Sequence, residues 1–477
     1  MNVITIVSDT LRRDYLGPYG NTVVRTPSLD RLARWGTVFE RSYIHNFPTV
    51  PARLDMFTGR YTAIDFDWSP LPRGENVLAQ VLSHAGVLTY LIGDTYNLFR
   101  DGYNFDRGFT GFEWIRGNGA DRWRTAPHEL DLGLDPSLSF DAEGYTKPHF
   151  RNASLQRFEE ERFTAQTFRA AARWLEENRG QPFYLHVDTF DPHEPWHPPQ
   201  WYIDLYDRGY TGRNVTQPPY ASAALMTAAE LTHCRALYAA SLTMMDRWLG
   251  HLLTTVENLG LLADTAIFFT TDHGFYLGEH GWIGKTRIEG GLQHFRQLYE
   301  EVAHVPLIAY LPGTPAGQHS GALVQPVDLA PTVYELMGVS APTSVQGRSL
   351  APLIRGEDVR LREVTVSGPA MHHPGRWRPS TICDGEWTLI VNGPIASAEQ
   401  FGEIRAVDGA LRSEGRPEVD PAPELYHLPG DPQQQRNVFA ERHDVARRLH
   451  AAYIRFLERN GLPEDALSPR RELPPPR

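Results

Sequence analysis

Short hydrophobic runs that end in acidic or polar residues alternate along the chain with segments of helical periodicity. The runs lie at residues 3–7, 87–92, 183–187, 266–271 and 305–311. Apolar residues recur at helical spacing over residues 155–175, and a long helix is predicted from about 231 to 259, where Gly260 ends it. The alternation predicts an α/β fold with a large, mostly parallel central sheet flanked by helices.

The composition changes near residue 365. Short strand-like segments, Pro and Gly become frequent there, and a final helix is predicted near residues 445–457. We therefore divide the chain into a large α/β domain (1–364), a smaller C-terminal α+β subdomain (365–467) and a tail (468–477). The tail is rich in Pro and charge, so we expect it to be disordered.

The overall composition is that of an ordinary globular protein, with 477 residues, 41% hydrophobic residues and a net charge of −12. The acidic excess argues against nucleic acid or an anionic membrane surface as a main partner, but a local cationic pocket could still bind a small anionic substrate. The sequence shows neither a signal-peptide pattern nor a long apolar segment, so we expect a cytoplasmic protein with Cys234 and Cys383 as free thiols. Whether it forms a homo-oligomer is left open.

Three predicted strands end on Asp, or on Asp followed by His. These groups are Asp9, Asp188 with His193, and Asp272 with His273. An Asp after a strand is often only a turn residue or a helix cap. In open α/β sheets, however, ligands bind beyond the carboxyl ends of the strands, so we expect the three groups to converge.

The segment from Asn46 to Arg60 predicts a short helix with Thr49 as N-cap and Gly59 at its end. A hydroxyl at a helix N-terminus, with Arg53 one turn along, suits an anion, although a capped surface helix is the simpler interpretation. Downstream of the Asp272-His273 pair, Lys285 lies on a Gly-rich loop that could fold back toward it.

These motifs occur in an order that resembles the sulfatase family of the alkaline phosphatase superfamily over nearly the full length. The resemblance rests on several short motifs together. They include Ser8-Asp9, Thr49-Val50-Pro51-Ala52-Arg53, Pro192-His193-Glu194-Pro195, Asp272-His273-Gly274, Gly284-Lys285, Asp328-Leu329-Ala330-Pro331-Thr332 and Glu424-Leu425-Tyr426-His427-Leu428. The resemblance implies an alkaline phosphatase-like fold and an ester hydrolase.

The resemblance also implies a metal site. Asp9, Asp272 and His273 would hold one divalent ion, and Thr49, at the nucleophile position, would complete its shell. Asp and His ligands suit Mn²⁺, Ca²⁺, Mg²⁺ or Zn²⁺, and the identity stays open. A second ion at Asp188, Asp191 or His193 is the less favoured alternative.

Four residues would carry the chemistry by the same resemblance. Thr49 would be the nucleophile, and Arg53 would orient it and bind substrate oxygens. His193 would help to protonate the leaving group, and Lys285 would bind a non-bridging oxygen. A metal ion, cations and an acid are what ester cleavage by a hydroxyl requires.

The sequence departs from the family pattern at three places. Sulfatases of this family carry a Cys or Ser that is oxidised to formylglycine, whereas Thr49 has a secondary alcohol that cannot form that aldehyde. The usual Asp-Asp pair is Asp9-Thr10 here, and Gly93-Asp94-Thr95-Tyr96-Asn97 lacks the usual sulfate-binding Lys. Thr10, Thr95 and Tyr96 become candidates for substrate binding, although a polar strand-end turn would also explain the last two.

The departures favour phosphorus over sulfur, because a Thr ester must be hydrolysed by water. The main hypothesis is a phosphodiesterase or phosphonate monoester hydrolase with a covalent phosphoryl-Thr intermediate. The alternatives are a sulfatase that works through Thr49 without formylglycine, and a non-catalytic binding protein of the same fold. We expect residues 103–151 and 372–378 to shape the pocket.

Overall fold

The computed structural model describes residues 1–135, 138, 141–289, 292–373, 378–392 and 422–475. Its centre is an eight-stranded sheet, whose strands we number in chain order together with those of the smaller sheets. From one edge to the other they are β13 (Gln318–Val324), β2 (Thr37–Ser42), β12 (Leu307–Tyr310), β7 (Thr265–Thr270), β1 (Asn2–Ser8), β5 (Phe183–Thr189), β3 (Leu88–Gly93) and β4 (Gly111–Trp114). Only β12 runs against its neighbours, so the predicted mostly parallel sheet is confirmed.

Helices cover both faces of this sheet, because successive side chains of a buried strand point to opposite sides. In β1, Ile4 and Ile6 belong to one apolar core, and Val3 and Val7 belong to the other. The first core includes residues of α1 (Pro27–Trp35), α6 (Phe163–Asn178) and α8 (Ala228–Asn258). The second includes residues of α2 (Thr49–Thr58), α3 (Leu78–His84), α10 (Leu329–Met337) and α11 (Ala351–Ile354).

Helix α6 begins later than the periodicity predicts. Leu155 and Phe158 fit the apolar pattern of residues 155–175, but their side chains are exposed and outside both cores. The regular helix begins at Phe163, where the apolar face first meets the sheet.

Short elements form the loops around the sheet. They are α4 (Tyr96–Phe99), α5 (Lys147–Ala153), α7 (Gln200–Ile203) and α9 (Glu300–Ala303), the sheet β6 (Ala221–Ser222), β9 (Trp282–Gly284) and β8 (Tyr276–Leu277), and the hairpin β10 (Arg287–Glu289) and β11 (Leu292–His294). Among the described residues, none of the helices combines the length and hydrophobicity that a membrane crossing requires.

A second, antiparallel sheet lies in the C-terminal part of the chain. Its strands are β14 (Thr365–Ser367), β15 (Pro379–Cys383), β16 (Trp387–Asn392) and β17 (Glu424–His427), and it packs against α12 (His443–Arg459). Its core also contains Tyr61, Ala63 and Ile64 from the N-terminal part. The two parts of the chain therefore share hydrophobic packing.

The predicted disorder of the tail is wrong for residues 468–475, which the structure describes. The chain continues through α13 (Glu464–Leu467) into a 3-10 turn at Ser468–Arg470. The side chain of Arg470 is buried, and Arg471 forms ion pairs with Glu458 and Glu464. These contacts hold a segment that its composition alone would leave unstructured.

Candidate active site

The polar ends of four central strands meet at one edge of the sheet. Strands β7, β1, β5 and β3 are direct neighbours, so their carboxyl ends lie side by side. The backbone N–H of Asp9 donates to the Thr189 carbonyl at 2.9 Å, and that of Asp94 donates to the Asp188 carbonyl at 3.1 Å. The predicted convergence of the strand-end groups is confirmed.

Arg53 is the fully buried centre of this cluster. Its Nε and Nη2 donate to Asp188 at 2.7 and 2.9 Å, and Nη1 donates to Asp272 at 2.6 Å and to the Thr49 carbonyl at 3.1 Å. Nη2 also lies 3.0 Å from Asp9 Oδ2. Burial opposes its charge, yet the three carboxylates, Asp188 foremost, hold the pKa of Arg53 well above its ordinary value.

These contacts bear on the predicted substrate contact of Arg53. Four of its five N–H donors have hydrogen-bond acceptors among the described residues, and Nη2 also forms the ion pair with Asp9, so contact with a substrate oxygen stays a prediction. The contact with the Thr49 carbonyl keeps Arg53 beside the nucleophile position. The Arg53 side chain therefore holds the Thr49 backbone and the three carboxylates in fixed positions.

Thr49 is the first residue of α2, and Pro48 occupies the N-cap position. The predicted N-cap role is wrong, because the Thr49 hydroxyl makes no capping hydrogen bond and faces the cluster instead. Lys285 Nζ donates to Thr49 Oγ1 at 3.1 Å, and His273 Nε2 lies 3.4 Å from the same oxygen. Gly59 ends the helix, as predicted, with a φ of +68°.

Asp9, Asp272 and His273 form the one close group of three or more metal-ligating side chains among the described residues, with ligand atoms within 4.8 Å of one another. Burial, and then the Asp272 carboxylate, raise the pKa of Asp9 to about 8. Burial also disfavours the Asp272 carboxylate, but His273, Arg53 and Lys285 hold its pKa below the ordinary value. Because the two carboxyl groups are so close, the negative charge on Asp272 disfavours ionisation of Asp9.

The donor atoms fit a divalent cation. Asp9 Oδ2 is buried and accepts no hydrogen bond from the described residues. His273 Nδ1 donates to the Gly274 carbonyl at 2.9 Å, which leaves the Nε2 lone pair available, and burial lowers the pKa of His273 to about 3. With the Thr49 hydroxyl, the set offers oxygen and imidazole ligands of the kind that such ions bind.

The second predicted ion finds less support. Asp188 is engaged by Arg53 and by Thr95, and His193 Nε2 lies 2.9 Å from Lys285 Nζ. Burial raises the pKa of Asp191 to about 7, so its charge is disfavoured in this place. These three groups do not form a ligand cluster together.

Lys285 links His193 to the Thr49 hydroxyl, because its Nζ contacts both side chains. His193 Nδ1 donates to the Glu194 carbonyl at 2.6 Å, so Nε2 accepts from Lys285 Nζ. The ring stacks on Phe190 with 4.2 Å between centroids. Burial, and then Lys285, lower the pKa of His193 well below its ordinary value. The structure thus brings together the four residues predicted to carry chemistry.

Two of the three substrate-binding candidates have other partners. Thr10 Oγ1 donates to Asp9 at 2.7 Å, and Thr95 Oγ1 donates to Asp188 at 2.5 Å. Both hydroxyls are fully buried and bind carboxylates of the cluster, and a role of either in substrate binding stays a prediction. Tyr96 packs edge-on against Tyr145, from the predicted pocket segment 103–151, and its contact with substrate stays a prediction.

Two other residues support the site in roles that the sequence analysis did not predict. Asp188, predicted as a converging strand-end group and as a less favoured second-metal ligand, is the main partner of Arg53. Tyr238, in the middle of α8, donates to the Thr10 carbonyl at 2.9 Å and accepts from the Arg12 N–H at 2.7 Å. It is more than 220 residues away from Thr10 in the chain. In the segment 372–378, residues 374–377 lie outside the described residues.

The fold and the site together define a hydrolase of ester bonds on an alkaline phosphatase-like scaffold. A buried hydroxyl lies at a helix start, with a candidate divalent-metal ligand set, a lysine and a histidine around it. The sulfatase family profile matches residues 1–339, and the chain belongs to the sulfatase family of the alkaline phosphatase superfamily. Members of this superfamily typically use a divalent metal ion.

Curated relatives match over about three quarters of the chain. An arylsulfatase of Clostridium perfringens is 26% identical over 416 residues, 76% of this chain and 80% of its own. The multifunctional alkaline phosphatase superfamily protein PehA of Trinickia caryophylli is 27% identical over 421 residues, 74% and 77% of the two chains. The phosphonate monoester hydrolase of Agrobacterium radiobacter has a similar structure, with a TM-score of 0.70 and 21% identity over 97% of this chain and 96% of its own. That likeness shows the fold.

Proposed function

We propose that the protein is a metal-dependent hydrolase of phosphodiesters or phosphonate monoesters in which Thr49 is the nucleophile. The observation that carries the proposal is the environment of Thr49 Oγ1, which lies 3.1 Å from Lys285 Nζ and 3.4 Å from His273 Nε2. The substrate would be a small anionic ester. The positive charge of Lys285 and the N-terminus of α2 both favour an anion at this place.

The chain supplies the remaining parts of the reaction. Asp9, Asp272, His273 and Thr49 would hold one divalent ion, which supplies positive charge that lowers the pKa of the hydroxyl. Arg53 fixes the carboxylates and the Thr49 backbone in place. Lys285 stabilises the negative charge that grows on the non-bridging oxygens.

The reaction proceeds in two displacements. Thr49 attacks phosphorus while its hydroxyl proton passes through Lys285 Nζ to Nε2 of the neutral His193, and the bond to the leaving oxygen breaks as His193 gives that oxygen the proton. Water then attacks the phosphoryl-Thr ester and gives its proton to the now neutral His193. As the bond between Thr49 and phosphorus breaks, the proton returns from His193 to Thr49 by the same route, which restores the starting state.

The side chain of Thr49 favours phosphorus over sulfur. A formylglycine hydrate releases sulfate when it collapses to the aldehyde, and a secondary alcohol has no such route. The second step must therefore be the attack of water on the covalent ester, a step that suits phosphorus better than a sulfate ester.

The substrate class is tested by comparing kcat/KM for p-nitrophenyl sulfate, p-nitrophenyl phosphate, bis-p-nitrophenyl phosphate and p-nitrophenyl phenylphosphonate in the presence of Mn²⁺. We expect the diester or the phosphonate to be the best substrate, and Thr49→Ala to lose at least about 10³-fold of that activity. Thr49→Ser is the matched variant and should keep part of the activity. A higher sulfate turnover that disappears in Thr49→Ala would contradict the phosphorus assignment.

A sulfatase that acts through Thr49 directly is the second candidate. It is favoured by the names of the curated relatives, which include the arylsulfatase of Clostridium perfringens and an N-acetylglucosamine-6-O-sulfatase of Bacteroides thetaiotaomicron. The same comparison of esters separates the two candidates.

A further inference from the structure

Glu194 is a buried carboxylate that the mechanism above does not use. Its Oε2 lies 3.2 Å from His193 Nδ1, the nitrogen that also donates to the Glu194 backbone carbonyl. This oxygen accepts no hydrogen bond from the described residues. Burial raises the pKa of Glu194 to about 7. A buried carboxylate oxygen without a hydrogen bond destabilises the folded protein, so the position of Glu194 beside His193 indicates a function.

Tyr220 holds the other oxygen of this carboxylate. Its hydroxyl donates to Glu194 Oε1 at 2.5 Å, and its ring packs edge-on against Phe275. A Cβ at Gly284 would lie only 2.6 Å from the Tyr220 ring, so this close approach depends on glycine. Because Gly284 directly precedes Lys285, Tyr220 joins the loop that carries His193 to the loop that carries Lys285.

We propose that Glu194, held by Tyr220, is a positioning residue that fixes the tautomer and orientation of the His193 ring. With Nδ1 facing the carboxylate and the backbone carbonyl, Nδ1 keeps its proton. Nε2 then gives a proton to the leaving alkoxide and regains one from the attacking water. Such an arrangement resembles the carboxylate that orients a catalytic histidine in other hydrolases. The inference rests on the proposed function only in taking His193 as the leaving-group acid.

A positioning role has a signature that a merely structural role lacks. Protonation of the leaving oxygen accelerates the reaction most when the leaving group is unstable as an anion. It accelerates the release of p-nitrophenolate, which is a stable anion, only a little. A loosened His193 should therefore slow esters of phenol and of alkyl alcohols more than esters of p-nitrophenol. Loss of general packing would slow all of them alike.

The experiment measures kcat across a series of phenyl and alkyl leaving groups for wild type, Glu194→Gln and Tyr220→Phe. Glu194→Gln should lose about 10²-fold with phenol or alkyl leaving groups and less than about 3-fold with p-nitrophenol. Tyr220→Phe, which keeps the ring, should show the same trend with a smaller loss. The double variant should be less impaired than the product of the two single effects, because both act through one carboxylate.

Asp246→Asn is the matched control. Asp246 is a buried carboxylate that accepts from the Ser28 and Leu29 backbone N–H groups, and it makes no contact with His193. It should change the thermal midpoint without changing the dependence on the leaving group. If Glu194→Gln does not fold, Tyr220→Phe decides the test.

Equal losses for all leaving groups, or no loss, would overturn the inference. The series uses the ester class that wild type hydrolyses best, whether phosphorus or sulfate. A failure of the phosphorus assignment would then appear in wild type as a different preferred ester. The positioning role would still be read from the leaving-group dependence.

Discussion

Thr10 has a φ of +61° and donates its backbone N–H to the Asp272 carboxylate at 2.9 Å. A β-branched residue rarely adopts this conformation, which costs about 1–3 kcal/mol and persists only where the surroundings impose it. The Thr10 hydroxyl donates to Asp9. One residue therefore holds both carboxylates of the candidate metal site.

Replacing Thr10 by Ala should weaken metal binding, because the hydrogen bond that orients Asp9 is lost. Groups that orient metal ligands typically contribute about 10- to 100-fold to affinity, so we expect the Kd for Mn²⁺ to rise at least about 10-fold. Calorimetric titration of the metal-free protein measures it. Thr332→Ala, which removes a buried hydroxyl bonded to the Asp328 carbonyl, should leave the Kd unchanged. An unchanged Kd in Thr10→Ala would contradict the orienting role.

Removal of the Arg53 side chain should destabilise the metal-free protein and increase its response to metal. Arg53→Met leaves Asp9, Asp188 and Asp272 without their buried counter-charge, at a cost of about 3–5 kcal/mol in the free energy of unfolding. A divalent ion would replace part of that charge. The rise in thermal midpoint on adding Mn²⁺ should thus be larger in Arg53→Met than in wild type.

The control for this experiment is Arg31→Met, which breaks a partly exposed ion pair with Glu257. It should cost less than about 1 kcal/mol and leave the Mn²⁺-dependent shift as in wild type. An identical Mn²⁺ shift in Arg53→Met would show that Arg53 and the metal do not act on the same carboxylates.

The main features of the fold and the positions of the candidate metal ligands could be predicted from the sequence. Parallel strands that end in Asp or Asp-His must bring those residues to one edge of the sheet, so Asp9, Asp272 and His273 follow from local patterns. The order β7-β1-β5-β3 then decides which strand ends are neighbours. That order depends on packing between distant segments, and no local pattern contains it.

Side-chain direction explains what the sequence missed. A Thr hydroxyl at a strand end can face a substrate or a carboxylate, and the sequence alone does not show that Thr10 and Thr95 both donate to carboxylates. The resemblance assigned Arg53 to the nucleophile and to substrate oxygens, and it did not identify Asp188, 135 residues away, as a partner of its guanidinium. Composition predicted a disordered tail, since burial of Arg470 is a tertiary contact.

Removal of the Lys285 amine should slow catalysis without harming the fold. Its Nζ lies close to Thr49, His193 and His273, where a developing negative charge would be stabilised. Lys285→Met should lower kcat/KM by about 10²- to 10³-fold at an unchanged or higher thermal midpoint. Lys147, the other lysine in the sequence, is partly exposed and paired with Glu143, so Lys147→Met should have no effect. A loss below about 3-fold in Lys285→Met would rule out this role.

Acid should destabilise the protein in part through His149. Burial lowers the pKa of His149 to about 3 in the folded state, from an ordinary value of 6.5. The unfolded chain therefore binds a proton below pH 6.5 that the folded ring resists. Stability from this residue is complete above that pH and falls by about 1.4 kcal/mol per pH unit as the pH drops toward 3.

Urea unfolding between pH 7.5 and pH 5 measures this dependence. His149→Gln should reduce the slope of the unfolding free energy against pH by the equivalent of about one bound proton. His251 is an exposed histidine on α8, and His251→Gln should leave the slope unchanged. If the two variants show the same pH dependence as wild type, burial of a neutral His149 is not the cause.

The most direct test of nucleophilic attack by Thr49 is the stereochemical course at phosphorus. A phosphorothioate diester of known configuration is hydrolysed in ¹⁸O-labelled water, and the configuration of the chiral product is determined. Two in-line displacements, first by Thr49 and then by water, predict net retention. Net inversion would mean that water attacks the substrate directly, and would contradict a covalent phosphoryl-Thr49 intermediate.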